Sequence, residues 1–120
     1  MRPFPPSEGL QFFVGDSIAQ ICLDPYGLQF NFKSQRHLVA ELGVEQVEPN
    51  GTVWLYDCKS SEGAPLILHR LLCRRITAVE REELRLTFQI EVGSALTILA
   101  DIGPHESGHI DAPETGLIVF

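Results

Sequence analysis

Cysteine is scarce in this sequence and poorly spaced for cross-linking. The three cysteines, Cys22, Cys58 and Cys73, are odd in number and form no C-x-x-C pair. This pattern argues against a disulfide framework and against a structural zinc site. We therefore expect reduced thiols and a cytoplasmic location.

Basic residues are also few. The chain holds 9 Lys and Arg against 16 Asp and Glu, which gives a formal net charge of -7. Because phosphate backbones and anionic lipid headgroups repel such a surface, we expect no nucleic-acid and no membrane binding. No apolar run is long enough for a signal-peptide core or a membrane span. An acidic surface is instead complementary to a basic protein partner.

Catalytic motifs are missing as well. The sequence holds no P-loop, no G-x-G-x-x-G and no G-x-S-x-G. Cys58 or Cys73 would become a nucleophile beside a histidine such as His69, but a free cysteine is more often a small core residue. We therefore predict that the protein is not an enzyme and that it needs no cofactor.

What the sequence does contain is alternation of apolar and polar residues, which predicts a mostly β fold of the α+β class. Leu28, Phe30 and Phe32 point to one face of a strand, and the polar residues between them point to the other. Asn50-Gly51 between two β-rich runs predicts a hairpin. Ala64 to Leu72 has leucines at helical spacing after Pro65 and predicts a short helix, with a strand as the alternative.

The two halves of the chain align with each other. We expect one domain, 1–120, with an irregular lead-in over 1–9, a first repeat over about 10–58, a connector and short helix over 59–72, and a second repeat over about 73–120. The offset is 58 residues at first and 56 after the Glu82-Glu83 turn. Each repeat is a β-meander with one apolar face. The prediction is therefore two pseudo-symmetric meanders that cover each other as a sandwich or a partly open barrel.

This repeated pattern resembles a family of small uncharacterised bacterial proteins with two β-domain repeats. The segments that carry the resemblance are 16–21, 28–32, 71–77, 84–88 and 115–119. Such proteins often have a Glu and an aromatic residue before the last hairpin. Glu106 matches the Glu, whereas Gly108 and His109 stand where the aromatic residue is expected. The family implies no activity, and a general similarity to toxin-immunity proteins implies an inhibitor of a basic toxin.

Two acidic stretches and two aromatic side chains are the candidate partner-binding residues. Acidic residues cluster around both predicted hairpins, and Trp54 and Tyr56 share one face of a predicted strand. Acidic and aromatic side chains together suit a basic partner. The proposed set is Glu45, Glu48, Trp54, Tyr56, Asp111 and Glu114.

Two other functions remain open from the sequence. His105 and His109 lie four residues apart beside carboxylates and could bind a metal, although Pro104 and Gly108 place them in a loop rather than on a helix. Leu117 to Phe120 could instead pair with another subunit, as an apolar edge in a homodimer.

The main basic cluster of the sequence is interleaved with acidic residues. We expect its arginines to form ion pairs within the molecule or across an interface, with a phosphate or nucleic-acid site as a minor alternative. The cluster consists of Arg70, Arg74, Arg75, Arg81 and Arg85.

Overall fold

The alternating segments form strands close to their predicted positions. The computed structural model describes residues 3–60, 62–63 and 67–120. The strands are β1 Ile18–Asp24, β2 Gly27–Phe32, β3 His37–Ala40, β4 Gly43–Val47, β5 Val53–Asp57, β6 Glu62–Gly63, β7 Ile76–Glu82, β8 Arg85–Ile90, β9 Ser94–Leu99, β10 Gly108–Ala112 and β11 Gly116–Val119. Within these described residues, three short 3-10 helices accompany the strands: η1 Ser7–Phe13, η2 Leu68–Leu71 and η3 Glu91–Gly93.

The strands pair into two open antiparallel sheets that pack as a sandwich around one apolar cluster. The first sheet has the order β1-β2-β3-β10-β11 and the second has the order β6-β5-β4-β9-β8-β7. This arrangement confirms the predicted mostly β class and selects the sandwich. Within the part of the chain that the structure describes, no helix is long and apolar enough to cross a membrane.

Each sheet combines strands from both halves of the chain. The hairpin β10–β11 extends the sheet of β1–β3, and the hairpin β4–β5 extends the sheet of β7–β9. The sequence predicted two intact meanders that cover each other. Instead, only Glu41 and Leu42 separate β3 from β4, and within these two residues the chain passes from the first sheet to the second. Each half therefore gives its last hairpin to the sheet of the other half.

In the registers of the first three strands of each half, equivalent positions are separated by a constant 58 residues. The first hairpin of each half has a bulge, after Ile18 in β1 and after Ile76 in β7, and these residues lie 58 positions apart. Phe30 and Phe88 occupy equivalent ladder positions at the same offset. The predicted change to 56 is therefore wrong in this stretch. A two-residue slip keeps every side chain on its face, so an alternating pattern cannot reveal it.

Aromatic rings join the two sheets. The ring of Phe13 in η1 lies 4.8 Å from that of Phe32 in the first sheet and 5.1 Å from that of Phe88 in the second, measured between centroids. Phe4 packs against Phe120 at 4.5 Å, and both side chains are buried. The lead-in thus contributes to the core, because burial of a phenylalanine ring stabilises by about 2–3 kcal/mol.

The helix predicted between the halves is shorter than expected. Residues 64–66 lie outside the described part of the chain, and the observed helix is the 3-10 turn Leu68–Leu71. The side chain of Gln46, buried in β4, donates to the carbonyl of Ile67 at 2.8 Å and accepts from its amide at 3.0 Å. Gln46 thus bonds both backbone groups of Ile67 as a neighbouring strand would. The Ile67 carbonyl also accepts from the amide of Arg70 at 3.2 Å, which is the first hydrogen bond of the 3-10 turn.

Candidate functional site

The outer face of the first sheet carries a row of polar side chains across three strands. Asn31 in β2 donates to Gln20 in β1 at 3.0 Å, and its carbonyl oxygen lies 2.5 Å from Nδ1 of His37 in β3. Because the Asn31 amide nitrogen already donates to Gln20, its oxygen accepts, and Nδ1 of His37 carries the proton. The next residue in this row is Asp111 in β10, which pairs with His37.

Acidic residues supply the charge of this face. The five strands of the first sheet, all of them described, contain Asp24 and Asp111 but no lysine or arginine. Two more carboxylates, Glu41 and Glu106, lie where β3 ends and where β10 approaches it. We call the surface formed by Asp24, Glu41, Glu106 and Asp111 the acidic face.

A shallow groove of about 280 Å³ lies at one end of the acidic face. Its lining residues are Asp24, Pro25, Tyr26, Gly27, Val39 and Glu41. The Tyr26 side chain is 76% exposed. A Cβ atom on Gly27 would lie 2.6 Å from the carbonyl oxygen of Ala40, so glycine is required for the β1–β2 turn to lie against the end of β3.

Glu41, Glu106 and His109 form a compact cluster beside this groove. One carboxylate or imidazole atom of each residue lies within 4.8 Å of the corresponding atoms of the other two. Strand pairing brings them together, since His109 pairs with Val39 and the amide of Glu41 donates to the carbonyl of Ser107 at 2.8 Å. The sequence prediction of a metal pair placed His105 with His109, but the cluster contains His109 and not His105.

The acidic residues predicted around the two hairpins have arginine partners within the chain. Glu45 pairs with Arg85 at 3.0 Å, and Glu114 pairs with Arg36 at 2.6 Å. The hydrogen bond from Arg36 lowers the pKa of the Glu114 carboxyl below its usual value. These pairs neutralise two of the charges that the sequence offered to a partner.

The side chains of Glu48 and Trp54 are joined by a hydrogen bond. The indole Nε1 of Trp54 donates to Glu48 at 2.7 Å, and Arg70 pairs with the other carboxylate oxygen. Tyr56 pairs across the strands with the buried Val44 and packs against the core. The Trp54 ring is thus held by a hydrogen bond and the Tyr56 ring by packing, and β5 presents Val53 and Leu55 outward instead, each 55% exposed.

The six predicted partner-binding residues therefore do not gather on one face. Glu45, Glu48, Trp54 and Tyr56 belong to the second sheet or its β4–β5 hairpin, and Asp111 and Glu114 belong to the β10–β11 hairpin of the first sheet. Of the six, only Asp111 lies on the acidic face. The predicted set left out Asp24, Tyr26 and Glu41, although Glu41 lies in one of the acidic stretches and the sequence Asp24-Pro25-Tyr26-Gly27 is typical of a turn.

Three arginines of the basic cluster have partners within the molecule, as expected. Arg70 pairs with Glu48, Arg85 pairs with Glu45, and Arg81 donates to the carbonyl oxygen of Phe4 at 2.7 Å. These contacts join separate segments of the chain. They also occupy guanidinium groups that a phosphate would otherwise contact.

The cysteines are free thiols in three different environments. Cys58 is buried, Cys22 is half-buried and Cys73 is exposed. Burial, reinforced by the negative charges of Asp57 and Glu41, raises the pKa of the Cys58 thiol to about 11. A thiol with such a pKa is a poor nucleophile at neutral pH, which agrees with the expected core function of Cys58.

Comparisons with known proteins found no match: no family model, no curated protein sequence and no solved structure matches the chain. The resemblance to bacterial two-repeat β-domain proteins therefore stays a prediction.

Proposed function

We propose that this protein is a non-enzymatic binding module of the bacterial cytoplasm that docks a basic segment of another protein on its acidic face. The carrying observation is the charge of the first sheet, whose five strands have no lysine or arginine. An inhibitor of a basic toxin is the form of this function that the sequence resemblance implies.

The contrast between carboxylates supports the acidic face as the contact surface. Glu45, Glu48 and Glu114 are paired with arginines, so a partner would have to displace those contacts. None of the described lysines or arginines forms an ion pair with Asp24 or Asp111. Asp24 accepts a hydrogen bond from the neutral Gln29 at 2.7 Å, which leaves its charge unneutralised. Carboxylates whose charge is not neutralised attract a cationic surface and increase its rate of association.

Tyr26 supplies the apolar contact that charge alone lacks. It is 76% exposed at the groove between Asp24 and Glu41. Exposed tyrosines are frequent energetic anchors in interfaces, because the ring buries a large area and loses little conformational entropy. A lysine or arginine stem can cover the ring while its charged end reaches a carboxylate.

The test compares two double variants that remove the same number of acidic charges. Asp24→Asn with Asp111→Asn alters the acidic face, and Glu80→Gln with Glu83→Gln alters exposed positions on β7 and its turn in the second sheet. Each full-length protein is immobilised and exposed to lysate of the native host. Retained proteins are identified by mass spectrometry, and the affinity of the purified partner is then measured at several salt concentrations.

We expect wild type and the second-sheet variant to retain the same basic protein, and the acidic-face variant to bind it roughly tenfold more weakly. Salt should weaken the wild-type complex. The proposal fails if both variants bind the partner equally, or if nothing basic is retained by wild type.

Self-association is a second candidate function, favoured by one observation. β11 is an edge strand of the first sheet, and its Leu117 is 64% exposed. An uncovered apolar edge can pair with the same strand of a second copy. Light scattering of wild type and Leu117→Lys tests this: a dimer that the substitution converts to a monomer supports edge pairing, and a wild-type monomer excludes it.

A further inference from the structure

The cluster of Glu41, Glu106 and His109 has a charge that the protein itself does not balance. The carboxylates of Glu41 and Glu106 approach within 4.8 Å, and no described lysine or arginine forms an ion pair with either. Two like charges at this separation repel each other. Elsewhere in the fold, Asp16, Glu45, Glu48 and Glu114 all have an arginine partner. Glu41 and Glu106 are therefore a close pair of like charges whose repulsion a bound cation would relieve.

Backbone hydrogen bonds hold together the chain segments that carry the three side chains. The amides of Glu41 and Leu42 both donate to the carbonyl of Ser107, at 2.8 and 3.2 Å. The amide of Ser107 in turn donates to the carbonyl of Phe120 at 2.6 Å. Because these bonds fix the backbone positions from which the side chains extend, binding of an ion has to order the side chains only.

Gly108 makes the close approach of these strands possible. A Cβ atom there would lie 2.1 Å from the carbonyl oxygen of Val39 and 2.7 Å from the Phe120 ring. With glycine at this position, β10 can pair closely with β3, and Glu106 and His109 reach Glu41. Gly108, which favours a loop when the sequence alone is considered, is therefore the residue that allows the cluster to form.

The donor atoms define the class of ion. One imidazole nitrogen and two carboxylate oxygens suit a first-row divalent metal better than Mg²⁺ or Ca²⁺, which prefer oxygen ligands alone. Zinc takes such ligands at about 2.0–2.2 Å. Ligand atoms around a tetrahedral zinc ion are then about 3.4 Å apart, and the three donor atoms of the cluster all lie within 4.8 Å of one another. Glu106 is exposed, so a change of its rotamer can adjust this spacing.

We propose that Glu41, Glu106 and His109 bind a divalent transition-metal ion, with Zn²⁺ as the probe. Three protein ligands leave room for a water molecule or for a group from another protein. The site lies at one end of the acidic face but does not depend on partner binding by that face.

The test measures Zn²⁺ binding to the full-length protein by isothermal titration calorimetry. Wild type is compared with His109→Ala and Glu106→Gln, which remove ligands, and with His105→Ala, which removes the histidine of the loop before β10. Mg²⁺ is titrated as the competing ion class. Circular dichroism and thermal unfolding without metal establish that each variant is folded.

We expect wild type and His105→Ala to bind one Zn²⁺ equally, and each ligand variant to bind at least roughly tenfold more weakly. Zn²⁺ should also raise the melting temperature of wild type and His105→Ala but not that of His109→Ala. Absence of Zn²⁺ binding by wild type, an equal loss in His105→Ala, or preference for Mg²⁺ would overturn the site. Because neither Asp24 nor Asp111 is a ligand, these results are independent of the partner-binding test.

Discussion

Arg36 joins Glu114 through two hydrogen bonds, from Nε at 3.1 Å and from Nη2 at 2.6 Å, although 78 positions separate the two residues. The third guanidinium nitrogen donates to Asp16 at 2.6 Å. The guanidinium group also lies 5.0 Å from the ring centroid of Phe12. One arginine thus ties the segment before β1 to the turn of the last hairpin.

Replacement of Arg36 should destabilise the fold. Arg36→Met leaves the buried carboxylate of Asp16 with only backbone donors, the amides of Ser17 and Ser34. We expect the free energy of unfolding to fall by about 1–3 kcal/mol, measured by urea denaturation. Lys33→Met removes an exposed charge from the same turn and should change stability by less than about 0.5 kcal/mol. Equal effects of the two substitutions would contradict this function of Arg36.

The contribution of Arg36 should also depend on pH. Its hydrogen bond to Glu114 lowers the pKa of that carboxyl below the usual 4.5. A group whose pKa is lowered by folding stabilises the protein above its unfolded pKa and loses that effect as the pH falls through its folded pKa. The difference in melting temperature between wild type and Arg36→Met should therefore be largest near neutral pH and shrink below about pH 4. A difference that stays constant on acidification would argue against this pair.

The three thiols should react at different rates. Cys73 is exposed, whereas Cys58 is buried and its pKa is raised to about 11. At pH 8, iodoacetamide should modify Cys73 in the native protein and leave Cys58 unmodified, because the thiolate is the reactive form. Peptide mass spectrometry distinguishes the sites, and unfolding in urea should expose Cys58. Labelling of native Cys58 at the rate of Cys73 would show that the site opens readily.

Gly108 should tolerate no side chain. Gly108→Ala would force a Cβ atom against the carbonyl of Val39 and the ring of Phe120. We expect a loss of about 3 kcal/mol in the free energy of unfolding. Gly9→Ala is the control, because nothing lies within 4 Å of a Cβ atom there and its φ is not positive. Similar stability of the two variants would mean that β10 can move away from β3 at little cost.

The strands were predictable from the sequence because alternation directly encodes a half-buried strand. Leu28, Phe30 and Phe32 are all buried in β2, as their spacing predicts. The neighbours of each strand were not predictable in this way. A half-buried strand has the same pattern whichever strand lies beside it, so the exchange of hairpins between the sheets left no local signal.

The candidate site was less predictable than the fold, for a related reason. His109 was a candidate metal ligand because His105 lies four residues away, yet its neighbours in the cluster are Glu106 and the distant Glu41. Only the β3–β10 pairing brings Glu41 to that position. Likewise, the sequence shows that Glu48 is acidic, but not that Arg70 and Trp54 occupy its carboxylate.

Because the hairpins are exchanged, neither half of the molecule contains all the strands of a sheet. A fragment of residues 1–58 alone would contain three strands of one sheet without the hairpin that extends them. It would also contain one hairpin without the three strands beside which that hairpin lies. The fragment carries one three-stranded meander and one hairpin, and it lacks one of each. Two copies of the fragment could therefore pair with each other as the two halves do within one chain. Coexpressed fragments should reassemble without a covalent link, which makes the protein a natural scaffold for split reporters cut between its halves.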